Sequence, residues 1–287
     1  MKPAAFSYHR ARDLDGVGAL LTELGDDAKI IAGGQSLVAM MNFRLARPQH
    51  LIDIGGLREL RYVRTDDAGL HIGALTTHHE VEIAPDSLLG PGFEVLRDAM
   101  RWIGHLPIRT RGTVAGSIAH GDATAEWCLL AVLLDAEIVA RAPSGALRVI
   151  PAGEMFLGFY ATVLAPEEII VEIVFPRRAP QAALAEFAER SGDFATVAAA
   201  VDLDVADGVV RGGRIALGGV GPVPQRVPEA EALLAEGRPI GAELFEACAA
   251  TAAAVIDPPS DGNGSARYRR RLTSELVVSA CWEAVSR

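Results

Sequence analysis

Ile31-Ala32-Gly33-Gly34-Gln35-Ser36-Leu37 is a short apolar run broken by two glycines, a polar residue and a serine. Lys29-Ile30-Ile31-Ala32 reads as a buried strand that stops at Gly33-Gly34. Without Cβ atoms, the glycines let the backbone approach an anion and present N–H groups to a phosphate. Taken alone, such a loop reads first as an ordinary tight turn. The stretch is not a dinucleotide fingerprint, because the G-x-G-x-x-G spacing is missing, and no P-loop occurs in the chain. Gly16-Val17-Gly18 lies inside a helical pattern, and Gly219-Val220-Gly221 runs into Pro222.

Outward from this loop, short apolar runs alternate with helical patterns. Upstream, Asp13 is placed to cap a helix carrying Val17, Leu20, Leu21 and Leu24, closed by Gly25. Downstream, His50–Ile54 and Gly69–Gly73 read as strands. Thr76 or Thr77 then caps a helix, with Glu80 completing a capping box if Thr77 is the cap. A helix is predicted around Phe93–Ile103, an apolar run over Glu126–Asp135, and strands over Glu137–Arg141 and Glu168–Phe175. Pro176 and Pro180 flank two arginines and suggest a domain boundary. Beyond it, Thr196–Val205 and Gly213–Gly218 bracket the turn Asp207-Gly208 as a hairpin, and Ala-rich helical patterns follow. The fold class is α+β, in two domains.

Two further segments resemble the first loop in chemistry. Gly73-Ala74-Leu75-Thr76-Thr77-His78 is rich in small and hydroxyl residues. Gly112-Thr113-Val114-Ala115-Gly116-Ser117, extended through His120 to Asp122, adds an imidazole and a carboxylate. Three such loops, each following a strand or helix end, suggest one extended nucleotide ligand.

Composition narrows the classes. The 287 residues carry 27 Lys and Arg against 37 Asp and Glu, a net charge of −10, which argues against nucleic acid. The three cysteines, Cys128, Cys248 and Cys281, stand far apart with no CxxC pair, so this chain alone offers no disulfide framework, zinc knuckle or iron–sulfur ligand set. No long uncharged apolar run predicts a membrane span, and the N-terminus lacks the apolar core of a cleaved signal, so a cytoplasmic location is expected. The neighbours His78 and His79 point to different helix faces and make a poor metal pair. The run Arg267, Arg269, Arg270, Arg271 reads as a solvated face or a docking patch, and Phe156, Phe159 and Tyr160 as core.

Six stretches in order along the chain carry a resemblance: Ala32–Leu37, Ile72–Thr77, Arg111–His120, Leu164–Glu168, Arg190–Ala195 and Arg214–Pro222. Together they resemble the medium, FAD-binding subunit of the xanthine dehydrogenase and carbon monoxide dehydrogenase family of molybdenum hydroxylases. The resemblance implies a two-lobed FAD-binding domain of the PCMH type over residues 1–176, with lobes of about 1–55 and 56–176. A smaller α+β domain over 177–287, a β-sheet with helices, completes the chain. Carried over by position, Lys29, Ile30, Ile31, Ala32, Gly33, Gly34, Gln35, Ser36 and Leu37 would cradle the pyrophosphate and adenosine together with Gly112, Thr113, Ala115, Gly116 and Ser117. Thr76, Thr77, His120, Asp122 and Glu126 would lie along the ribityl chain and flavin ring, and Leu164, Arg190, Asp193 and Phe194 would line the isoalloxazine. The chain departs from the family pattern at Ala115-Gly116, where Gly-Gly is common, and at Gly121–Thr124.

The function so implied is electron transfer by noncovalent FAD. A small [2Fe–2S] subunit would deliver electrons, a large molybdopterin subunit would hydroxylate the substrate, and NAD⁺, a quinone or dioxygen would accept. The three chains would form a heterotrimer, with or without further dimerisation. Two other readings are a self-sufficient flavin oxidase or dehydrogenase and a non-catalytic FAD-binding module.

Overall fold

The computed structural model describes residues 2–287. A parallel sheet at the N-terminus joins β1 (Ser7–Arg10), β2 (Ala28–Ile31) and β3 (His50–Asp53), in the order β1-β3-β2. Helix α1 (Leu14–Leu24) begins where Asp13 Oδ1 accepts the Gly16 N–H at 2.7 Å and closes at Gly25, as the sequence predicts. Its Val17 and Leu21 are buried in the first core, alongside Ile52 of β3. The strand β2 ends one residue earlier than Ala32, which already belongs to the glycine loop leading into α2 (Leu37–Asn42).

The second lobe is a five-stranded antiparallel sheet. It comprises β4 (Val63–Asp66), β5 (Gly69–Gly73), β6 (Glu137–Arg141) and β7 (Leu147–Pro151), the small hairpin β8 (Phe156–Gly158) and β9 (Ala161–Thr162) standing outside it, and then β10 (Ile169–Phe175). The strand order is β4-β5-β10-β6-β7. Helices α3 (His78–Glu82), α4 (Val114–His120) and α5 (Glu126–Leu133) cover it. The predicted helix over Phe93–Ile103 is a short helix, Glu94–Asp98, that tightens into a 3₁₀ turn over Ala99–Arg101. Every residue of α5 after Glu126 is buried, which explains its uninterrupted apolar run.

Pro176–Pro180 leads into the last sheet, where β11 (Ala182–Phe187), β12 (Val197–Ala206), β13 (Val209–Gly218) and β14 (Gln225–Arg226) run antiparallel. The β12–β13 turn is Asp207-Gly208, both at positive φ, and β13 starts at Val209, four residues before the predicted Gly213. Strand alternation splits this sheet between two cores. Ala198, Ala200 and Ala216 pack into the first core against α5, and Ala182 and Leu184 join the same core beside the short helix Glu94–Asp98. Ala183, Val197, Val201, Ile215 and Leu217 face the second, built on α6 (Ala242–Val255) and α7 (Ala266–Val285).

Two sequence expectations are corrected. Arg269 is not on a solvated face: one residue in the basic run turns inward on α7 and is 3% exposed, while Arg267 and Arg271 remain outside. Phe159 and Tyr160 are not core residues, since they sit at the tip of the β8–β9 hairpin and are exposed; Phe156 is part-buried against the first core.

Candidate functional site

The three small-residue loops meet. His78 N–H donates to Gly112 O and Val114 N–H to Thr76 O, both at 3.0 Å, so Thr77 and Thr113 pair as an isolated bridge. The first loop packs against the third: a Cβ on Gly33 would enter the Arg111 carbonyl and stand 2.9 Å from Gly112 Cα. Gly33 is therefore demanded by a neighbouring backbone. A valine at Gly33 would disturb the fold itself and not only an approaching ligand. Gly112 is fixed in the same way, since a Cβ there would lie 2.7 Å from His78 Nε2.

His78 is the floor of this arrangement. Its Nδ1 accepts the Trp127 indole N–H at 2.9 Å, and burial together with the Arg109 charge pushes its pKa down to about 4. An imidazole kept neutral and hydrogen-bonded beneath a backbone loop is a structural support. Thr77 and Glu80 form the predicted capping box, and Thr76 Oγ1 donates to Tyr62 O at 2.7 Å. Both hydroxyls thus hold loops in place.

Two clefts flank the Gly33–Arg111 contact. One, of about 540 Å³, runs from Ile31–Gln35 across Val38, Ala39 and Asn42 to Tyr8 and Asp53. The other, of about 470 Å³, is bordered by Ala32, Gly33, Gly55, Gly56, Thr77 and Thr113 and by Arg10, Arg58, Arg61 and Arg111. The clefts share Ala32, Gly33 and Arg111. Arg61 is paired with Glu80 at 2.6 Å; Arg10, Arg58 and Arg111 have no carboxylate partner among the described residues. Three unpaired guanidinia around one cleft, on a chain of net charge −10, make a local site for an anion. Among the described residues, the N–H groups of Gly34, Gln35 and Ser36 find no acceptor. Such a row of free amides suits phosphate oxygens.

Sequence reasoning missed Tyr8, Asp53, Arg10, Arg58 and Arg61, which are scattered over two strands and a turn and converge only in the fold. Of the sequence-predicted residues, Ile31, Ala32, Gly33, Gly34, Gln35, Thr77 and Thr113 line the clefts. Lys29 points outward, Ile30 packs on the first core, and Ala115 is buried within it. Ser36 and Leu37 start α2; Gly112, Gly116 and Ser117 lie in and behind the third loop, where Gly116 N–H donates to Thr113 Oγ1 at 3.1 Å.

A second group gathers at the far end of α4. The rings of His120 and Tyr160 lie tilted at 36° with centroids 5.0 Å apart, and Asp122 Oδ1 accepts from Thr124 N and Oγ1 at 2.9 and 2.8 Å. The Asp122 charge raises the Tyr160 phenol, and burial lowers His120. Burial, with Asp122 adding, pushes Glu126 up to about 7; burial, with Glu126 adding, pushes Glu186 of β11 up to about 8. Glu186 is buried and its Oε2 has no hydrogen-bond partner. Leu164 is part-buried against the first core. Arg190 and Asp193 pair at 2.8 Å in the β11–β12 loop, beside the exposed Phe194.

Comparison with known proteins matches the chain to a family. The description "FAD binding domain in molybdopterin dehydrogenase" matches residues 4–178, and "CO dehydrogenase flavoprotein C-terminal domain" matches residues 182–284. The 6-hydroxypseudooxynicotine dehydrogenase complex subunit alpha of Paenarthrobacter nicotinovorans is 37% identical, over 100% of this chain and 97% of its own length. The carbon monoxide dehydrogenase medium chain of Hydrogenophaga pseudoflava is 34% identical, over 98% of this chain and 99% of its own. Among solved structures, carbon monoxide dehydrogenase from Hydrogenophaga pseudoflava superposes with a TM-score of 0.94 at 36% identity, covering 100% of this chain and 99% of that one. Quinoline 2-oxidoreductase from Pseudomonas putida 86 gives 0.94 at 32% identity with the same coverage.

Proposed function

The chain belongs to the FAD-binding medium subunits of the molybdenum hydroxylases, and from that premise we propose that it holds one noncovalent FAD with its diphosphate at the Gly33–Arg111 junction. That junction carries the reading. It combines a backbone seam too tight for any side chain, free amides on Gly34–Ser36, and the unpaired Arg10, Arg58 and Arg111. All three cysteines are buried, so none is offered as a covalent tether for the cofactor.

Bound FAD supplies the exchange between single electrons from iron–sulfur clusters and electron pairs passed to an acceptor. The chain's own residues place it. Gly33 and Gly34 let the diphosphate reach the backbone, the arginines match its charge, and the Thr77–Thr113 bridge keeps the wall rigid. The group of His120, Asp122, Glu126, Leu164 and the loop Arg190–Phe194 faces the ring end. The clusters belong to a small [2Fe–2S] subunit and the molybdopterin to a large subunit, in a heterotrimer. The three scattered, buried cysteines of this chain support that division.

Co-expression with a two-cluster iron–sulfur chain and a molybdopterin chain tests the reading. A complex should purify in which substrate bleaches the flavin, and acid precipitation should leave the yellow colour in the supernatant. A folded chain that takes up no FAD, alone or in the complex, overturns it.

A further inference from the structure

The buried guanidinium of Arg269, in the first turn of α7, joins three segments of the chain. Its Nη1 donates to the carbonyl of Thr196 and, at 3.0 Å, to that of Gly219. Its Nη2 reaches both carboxylate oxygens of Asp261, at 2.7 and 2.9 Å. A buried cation is costly unless its donors are used, and here the carboxylate neutralises the charge while the carbonyls take the remaining hydrogens. Nε alone is left without a partner.

The two carbonyls give this contact reach beyond its own domain. Thr196 N–H donates to Phe187 O at 2.7 Å and closes the loop that carries Arg190, Asp193 and Phe194. Gly219 N–H donates to Ala123 O at 3.0 Å, within the turn that holds Asp122 beside His120. One guanidinium therefore fixes the base of a loop from the C-terminal sheet and, through the single residue Gly219, a turn of the FAD-binding domain. A fold-stabilising ion pair needs only Asp261. The bonds to Thr196 and Gly219 set the loop and the turn relative to each other.

We propose that Arg269 is a positioning residue that sets the 188–195 loop against the 121–124 turn and so defines the surroundings of the flavin ring. The proposal rests on the FAD reading above. It concerns only the ring end, because Arg269 is remote from the Gly33–Arg111 junction in the contacts it makes.

The full-length chain loaded with FAD tests it through R269M, R269K and D261N. For R269M, FAD affinity within about threefold of wild type is expected, with loss of the resolved visible flavin band and a midpoint potential moved towards that of free FAD. R269K should recover only part of both changes, since a single ammonium cannot reproduce the two-pronged hold of the guanidinium on both carbonyls and Asp261. D261N, which keeps the carbonyl bonds, should change them least. A folded, FAD-bound R269M with wild-type spectrum and potential overturns the proposal, even if its melting temperature falls. If R269M does not fold, R269K decides: a wild-type spectrum and potential there, with a lowered melting temperature, overturns the proposal, and a shifted spectrum and potential supports it. A wild-type chain that takes up no flavin shows itself before any substitution and overturns the FAD reading instead.

Discussion

Trp127 donates its indole N–H to Nδ1 of His78 at 2.9 Å, and the other side of that imidazole presses against the backbone of Gly112. An unfolded histidine takes up a proton below about 6.5. His78 resists protonation down to about 4, because of burial first and the Arg109 charge second. Its contribution is complete above pH 6.5 and is lost as pH falls towards 4. Urea unfolding between pH 7 and 4.5 should show a fall on the order of 2 kcal/mol assignable to this residue. In H78N that part of the slope should vanish.

Substitution at Gly33 should separate the junction from ordinary loops. G33A places a methyl in the Arg111 carbonyl. FAD affinity should drop by about 100-fold, roughly 2.7 kcal/mol. G212A in β13, where a Cβ meets nothing within 4 Å, should leave affinity unchanged. Flavin fluorescence titration measures both, and equal affinities in G33A and wild type would contradict the placement.

The unpaired arginines should act on charge alone. R58A and R10A are each expected to weaken FAD about tenfold at low salt and to flatten the salt dependence. Riboflavin, which has no phosphate, should bind each variant as it binds wild type. Parallel losses for both ligands would place the diphosphate elsewhere.

The Glu126–Glu186 pair predicts stability that declines with rising pH. An unfolded carboxyl ionises above about 4.3, whereas burial holds Glu186 protonated up to about 8. Its stabilisation is full below the unfolded value and is lost as pH rises through the folded one. E186Q should therefore gain on wild type by about 2–4 kcal/mol between pH 5 and 8.5, read from urea midpoints. A variant with the wild-type pH slope would assign that slope to another group.

Local features were legible in the sequence because their partners lie within a few residues. The Asp13 cap, the Thr77–Glu80 box and the Asp207-Gly208 turn each need only near neighbours. Gly33 and Gly34 were legible as a glycine turn after a strand, but the sequence gives no sign that Arg111 is what forbids a side chain at Gly33. The arginine border is dispersed, with Arg10 at the end of β1, Arg58 and Arg61 in the turn after β3, and Arg111 far downstream. Arg269 was hidden for the opposite reason. A helix rotates each residue of a basic run to a different direction, so composition cannot tell which one turns inward. The aromatic run at Phe156–Tyr160 misled similarly, because the hairpin turn at Tyr160, with φ +54°, lifts its tip away from the core.

The alanine face of the last sheet has a mechanical consequence. Ala198, Ala200 and Ala216 form a shallow bed on which α5 rests, and the opposite face of the same sheet is occupied by α7 and the short helix Pro228–Leu234. A layer clasped from both sides cannot swing. Cutting the chain within Pro176–Pro180 would leave one particle made of two polypeptides, and the electron path through it would depend on no hinge.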